Sequence, residues 1–369
     1  MIEYENLKKT NNIFFNKYKK EFNSFLNSND FILGKNVKTF ENNFAKYCGA
    51  KYCVGVNSGL DALILSLEAL NIKKGSEVIV ASNTYIATIT AIIRLGLKPI
   101  LTEPNIKDYN IDPKEINKNI TKKTKAIIIT HLYGRPCKMD EIIKITKANK
   151  IFLIEDCSQS HGAKFKNKIV GSFGNFGCFS FYPTKNLGAL GDAGAIVLNN
   201  YNNYKKLLSF RNYGSEINNK RKYKFIGYNS RMDEIHASFL NLKLKSLNKI
   251  NMKKKQLAQI YDKHLIAKHL IKPERNINHK HVYHIYNIRL KNKSTRDKLK
   301  KFLFKNNIFT QIHYPLAPHE HIVYRKYFNK KKYSISSEIH KTTLSLPISF
   351  YHSKRQILNI CKMINLFFN

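Results

Sequence analysis

Short apolar runs rich in β-branched residues recur along the chain: YCVGV (52–56), EVIVA (77–81), KPILT (98–102), AIIIT (126–130), FLIED (152–156), FGCFSF (176–181) and AGAIVL (193–198). Each has the length and bounding residues of a strand. Between them, apolar residues fall at helical spacing, as at Leu60, Leu63, Ile64 and Leu67, or at Ile142, Ile143 and Ile145 within a lysine-rich stretch. That spacing turns one face of a helix toward a core. Strands alternating with helices predict an α/β layer fold with a largely parallel sheet. The strands read as continuous apolar runs, so both faces of the sheet are expected to be covered.

The texture changes after Arg231. Met232, Ile235, Phe239 and Leu242, then Leu257 and Ile260, predict one or two long amphipathic helices. They lead to HVYHIYNIRL (281–290), which reads as a further strand. This change places a boundary between 240 and 255, dividing a large domain with an N-terminal arm (1–245) from a smaller one (246–369). A chain of 369 residues is long enough for two such cores.

Composition excludes several classes. Purely apolar runs are as short as 126–129, against the roughly 20 residues that a membrane helix needs. The first residues, MIEYENLKKTNN, lack an apolar signal core, so a cytoplasmic protein with no membrane partner is expected. Cysteines at 48, 53, 137, 157, 178 and 361 form no CxxC pair and no zinc pattern, so reduced thiols and no metal are expected. Charge needs more thought: 64 Lys plus Arg against 25 Asp plus Glu give a net +39. Phosphate neutralisation on a nucleic acid is one reading. The basic residues are spread through the chain, however, and the densest clusters, 253–255 and 330–332, lie in polar segments without a recognition motif. Compositional drift toward lysine is the simpler account. It leaves the charge a role in solubility and in steering anionic substrates, with no nucleic-acid partner.

Three stretches carry chemistry. NSGLDAL (57–63) follows a strand and opens a helix, with Ser58 as N-cap and Asp61 placed for something close to a capping box. The same Ser58-Gly59 pair, with free amides ahead of it, also forms an anion cradle. IEDCSQSHGA (154–163) ends a strand in Glu155 and Asp156, where α/β folds place ligands. Asp156 reads either as a cap of the next turn or as the partner of a cation, Gln159 adds hydrogen-bonding capacity, and His161 reads as structural. In SFYPTKNLGALGDAGAIVL (180–198), Pro183 ends a strand and Lys185 lies among glycines at 188, 191 and 194. A lysine held between two buried strands has its charged form disfavoured and becomes a nucleophilic amine. Cradle, strand-end carboxylate and loop lysine together supply the three handles a pyridoxal phosphate enzyme needs.

These motifs, with GYNSRMDEIHA (227–237) and IHYP (312–315), resemble the DegT/DnrJ/EryC1/StrS family of sugar-nucleotide aminotransferases over nearly the whole chain. The resemblance implies the type I aminotransferase fold, a largely parallel mixed sheet flanked by helices with a smaller C-terminal α+β domain, working as a homodimer. It implies pyridoxal 5′-phosphate, with Lys185 in Schiff-base linkage to its aldehyde and Asp156 on the pyridinium nitrogen. Gln159 would reach the phenolic oxygen and Tyr85 would stack on the ring. Ser58, Gly59, Leu60 and Ser180 would hold the phosphate, together with Asn229 from the neighbouring subunit. Ser158, Ser160 and His236 depart from the usual family residues, at positions taken to touch no cofactor contact. The stretch FRNYGSEINNKRKYKFIGYNSRMDE (210–234) is most like members that aminate C3 of dTDP-3-keto-6-deoxyhexoses, with L-glutamate as donor. The alternative is C4 amination of a dTDP- or UDP-4-keto sugar. His313, Tyr314, Arg211 and Tyr213 are the candidate contacts to the nucleotide sugar.

Overall fold

All seven predicted runs become strands of one sheet in the computed structural model, which describes residues 1–369 apart from 217, 218, 220, 275–278 and 329–332. In chain order the strands are β1 (Tyr52–Val56), β2 (Glu77–Ala81), β3 (Lys98–Thr102), β4 (Thr124–Thr130) and β5 (Phe152–Asp156), then a small hairpin of β6 (Lys164–Phe165) and β7 (Lys168–Ile169), then β8 (Phe176–Ser180) and β9 (Gly194–Leu198). The large sheet has the order β1-β9-β8-β5-β4-β2-β3. β8, β5, β4, β2 and β3 are mutually parallel, while β9 runs antiparallel to both β8 and β1. The exception has a local cause. No helix separates β8 from β9, and a direct return to the neighbouring position must be antiparallel.

Every strand except β9 therefore points its carboxyl end to the same edge of the sheet. Alternate side chains divide between the two faces, as the pleat requires. Val78 and Val80, Ala126 and Ile128, and Ile196 and Leu198 pack with the helices Gly59–Ala69 and Ile86–Arg94. On the opposite face, Ile79, Ile127 and Ile129 meet the helix Met139–Ala148, and Ala195 and Val197 meet the helices Lys35–Cys48 and Glu234–Leu244. Both faces are covered, which is why alternation is invisible in the sequence.

The second core is built on a three-stranded antiparallel sheet. Its strands are β10 (Leu270–Ile271), β12 (Tyr286–Leu290) and β13 (Thr343–Leu346), with β11 (His279–Lys280) pairing instead with β6. The helices Leu247–His264, Lys293–Lys305 and Lys354–Phe368 bury Leu257, Leu299 and Ile360 against it. The periodicity after Arg231 resolves into two helices, Glu234–Leu244 and Leu247–His264. The run 281–290 is strand only over Tyr286–Leu290. Upstream, the Val282 and Ile285 amides donate to Gly134 and Tyr133 carbonyls, and the Val282 carbonyl accepts from Asn186, so these groups are spent on loops of the large sheet. Among the described residues no helix is long and apolar enough to cross a membrane.

Candidate active site

The carboxyl edge of the large sheet gathers the motifs. At the end of β1, Ser58 is extended and accepts the Asp61 amide at 3.1 Å, capping the helix Gly59–Ala69. The expected capping box is only half formed, because the Asp61 carboxylate accepts the Ser230 hydroxyl at 2.8 Å instead of reaching back. Gly59 lies hard against the end of β8. A Cβ there would stand 2.6 Å from Ser180 Cβ and 3.3 Å from Ser158 Oγ. Only glycine lets strand end and helix start approach so closely with amides facing outward.

Asp156 ends β5 and is buried. Its Oδ2 accepts the Thr88 hydroxyl at 2.8 Å and its Oδ1 the Ser158 amide at 3.1 Å. Thr88 is itself in a hydroxyl chain through Thr84 to Thr130. The neighbouring Glu155 faces the other way. It takes the amides of Gly171, Phe173 and Gly174, each at 2.7 Å, and His131 Nε2 at 3.1 Å. Glu155, His131 and Cys157 are close enough to hold a metal. Their capacity is already used: His131 Nδ1 accepts the Cys137 amide, and burial pushes the Cys157 thiol up, away from the thiolate that a metal needs.

Lys185 is half-buried in the loop between β8 and β9, its amide donating to the Tyr182 carbonyl at 2.9 Å. Burial pulls its amine down to about 8, with the Asp156 carboxylate opposing. His161 is buried beside Phe179 and Phe181, and burial with the nearby Lys185 charge holds it neutral, down to about 3. Gln159 accepts the Tyr133 amide at 2.7 Å and donates to the Tyr314 hydroxyl at 2.8 Å. Tyr85, half exposed, meets the Tyr314 ring at 5.1 Å between centroids. His313 places Nδ1 2.9 Å from the Ser345 hydroxyl, and burial lowers it to about 4.

Two expectations change. Arg211 is not at the substrate's disposal. It is buried, bonded through Nη1 to the Glu41 carboxylate and, at 2.9 Å, to the Gly55 carbonyl, so it ties β1 to the helix Lys35–Cys48. Ser158, taken to be remote, lines the cradle and holds Asp156. Tyr213 is exposed beneath the Arg231 guanidinium, and Asn229 is exposed with its backbone bridging Asn212. Part of the stretch that suggested C3 amination (217, 218 and 220) and the lysines at 330–332 lie outside the described residues. Thr88, Tyr133 and Ser345 were missed. Of these, only Thr88 had a visible signal, three residues beyond Tyr85 at the start of the helix Ile86–Arg94.

A depressed lysine, a strand-end carboxylate and an amide-lined cradle, converging at the carboxyl edge of this sheet, define a pyridoxal phosphate enzyme of the type I fold. The chain belongs to the DegT/DnrJ/EryC1/StrS aminotransferase family, whose profile matches residues 14–365. It is 42% identical over 367 residues, 99% of each chain, to a dTDP-3-amino-3,6-dideoxy-alpha-D-galactopyranose transaminase of Aneurinibacillus thermoaerophilus. Among solved structures it is similar to DesV of S. venezuelae in complex with a ketimine intermediate, at 33% identity and a TM-score of 0.95, covering 99% of this chain and 98% of that one. It is also similar to ntda of Bacillus subtilis with bound cofactor PMP, at 27% identity and a TM-score of 0.92, covering 99% and 85%. The cofactor is pyridoxal phosphate, and the residues present fit it: the Gly59 cradle would be filled by a single Cβ, and Asp156 and Lys185 stand at the same edge.

Proposed function

We propose that this enzyme transfers the amino group of L-glutamate to C3 of a dTDP-3-keto-6-deoxyhexose, galacto or gluco, giving a dTDP-3-amino-3,6-dideoxyhexose for glycan assembly. The observation that carries this reading is the Lys185–Asp156–Gly59 convergence, in a chain that aligns end to end with a transaminase of that sugar class. Pyridoxal phosphate, when bound, supplies an aldehyde that condenses with amines and a ring that accepts electron density from the reacting carbon.

The chain's own residues do the rest. Asp156, fixed by Thr88 and Ser158, would hold a protonated ring nitrogen. Ser58, Ser180 and the first amides of the helix, at Gly59 and Leu60, take the phosphate. Tyr85 would cover the ring face. Gln159, with one N–H committed to Tyr314, has a second to offer the phenolic oxygen. An amine with a pKa of about 8 is partly neutral near pH 7, so Lys185 Nζ would hold the cofactor's aldehyde and would serve as the base that moves a proton at the donor Cα. His313 and Tyr314 are proposed to face the sugar nucleotide, with Tyr213 at its edge. Asn229, exposed in the single chain, suits a residue that serves the phosphate of a second copy in a homodimer.

The test is incubation with glutamate and separate dTDP-3-keto and dTDP-4-keto hexoses, with the new amine located by NMR. Amine at C3 is expected. Amine at C4 alone would replace this reading by C4 amination, and no amine from any keto sugar would overturn it.

A further inference from the structure

We propose that two buried lysines outside the cofactor site, Lys243 and Lys254, are positioning residues for Lys185, clamping its loop from below at Gly188 and Asn186. Neither was marked by the sequence, and both are hidden: Lys243 is 2% exposed and Lys254 5%. Lys243 lies on the helix Glu234–Leu244 and donates to the Gly188 carbonyl at 2.6 Å and to Asn11 Oδ1 at 3.2 Å. Lys254 lies on the helix Leu247–His264 and donates to Asn186 Oδ1 at 2.8 Å and the His284 carbonyl at 3.2 Å. The amide of Asn186 completes the clamp by donating to Asn251 Oδ1 at 2.9 Å and the Val282 carbonyl at 3.0 Å.

The clamp therefore grips the residue directly after Lys185 and another two further on. The loop has little slack of its own, since a Cβ at Gly188 would stand 2.3 Å from the Pro183 carbonyl oxygen. All three lysines line one cavity of about 20 Å³, together with Glu5 of the N-terminal segment. Glu5 is the acid of this cavity. Its Oε1 accepts the Ser349 hydroxyl at 2.6 Å and the Thr10 hydroxyl at 2.9 Å, and its charge opposes the burial that lowers both amines to about 8. Burying two ammonium groups is costly, and apolar side chains of similar length would fill the space more cheaply. What an apolar side chain cannot do is donate hydrogen bonds to a loop oxygen.

The inference rests on Lys185 being the amine that carries the cofactor, and its test is independent of turnover. Lys185 in cofactor-free protein is competitively acetylated with acetic anhydride across pH and quantified by mass spectrometry, with exposed Lys114 as internal control. The titratable groups that face Lys185 are Asp156, His161, His284 and His313, with Glu5, Lys243 and Lys254 across the shared cavity, and of these only the substituted lysine changes in each variant. In Lys243→Met and Lys254→Met, the Lys185 profile is expected to move its midpoint by about one pH unit, or its plateau rate about threefold, as its enclosure loosens. The Lys114 profile should stay at wild type, while the melting temperature falls with the lost buried hydrogen bonds and the protein remains folded. A folded variant pair with unchanged Lys185 profiles overturns the proposal. If the methionine variants do not fold, Lys243→Gln and Lys254→Gln are read the same way, and failure of these too would overturn it by making the lysines determinants of the fold. Borohydride trapping of the cofactor on a residue other than Lys185 would instead sink the function reading, a separate outcome.

Discussion

Lys185 and Thr88 illustrate how differently two residues of one site respond to replacement. Lys185→Ala removes the covalent anchor and the proton carrier together. The purified protein should lose its visible absorbance with pyridoxal phosphate after dialysis and lose turnover by at least about a thousandfold. Turnover at the wild-type rate would end the assignment. Thr88→Val keeps the shape but withdraws one of the two donors to the Asp156 carboxylate. A charged group that loses a buried hydrogen bond is worse held, so kcat should fall about tenfold while KM for the sugar changes little. A rise in sugar KM at constant kcat would show that Thr88 serves binding and not Asp156.

At the scale of elements, the joint between the end of β8 and the helix Gly59–Ala69 sets the cradle. Gly59→Ala puts a methyl group 2.6 Å from Ser180 Cβ, so helix start and strand end must part. Cofactor affinity, read by absorbance titration, should weaken about tenfold or more for an overpacking strain of this kind. Unchanged affinity would mean that the cradle does not hold the phosphate. Ser58→Ala removes the cap on the same helix and should cost about 1 kcal/mol of stability in denaturant unfolding.

For the whole molecule, buried titratable groups set a pH window. His161, His281, His284 and His313 are all held neutral by burial. Below the ordinary histidine range the unfolded chain binds protons that the folded one refuses, so stability falls as pH drops from about 6.5 toward 4. All six cysteines are buried and their thiols pushed up. Above about pH 9 the unfolded thiols ionise first, the folded state holds more protons, and stability falls again. Lys185, Lys243 and Lys254, lowered to about 8, act in the opposite sense up to about pH 10.5, but the six thiols and the raised tyrosines outnumber them. Thermal melts should peak between about pH 7 and 8.5, and a melting temperature that keeps rising to pH 10 would contradict this balance. The net charge of +39 favours solubility and long-range attraction of anions. Even the lysine run 253–255 is no plain surface patch, because Lys254 points inward.

Much of this was legible in the residues alone. Strand runs, helix spacing and the order of NSGLDAL, IEDCSQSHGA and the Lys185 loop are local patterns, so the α/β class and the cofactor could be read before any fold was known. The burial that lowers the Lys185 amine, and the Thr88 hydroxyl bonded to Asp156, depend on contacts between segments far apart in the chain, which no spacing encodes. Arg211 makes the point from the other side. As a sequence letter it is a free cation beside a substrate loop, and only tertiary packing, by placing Glu41 against it, turns it into a buried strut. Local pattern determines which element a residue joins, whereas its partners, and hence its charge state and task, are decided when the elements meet.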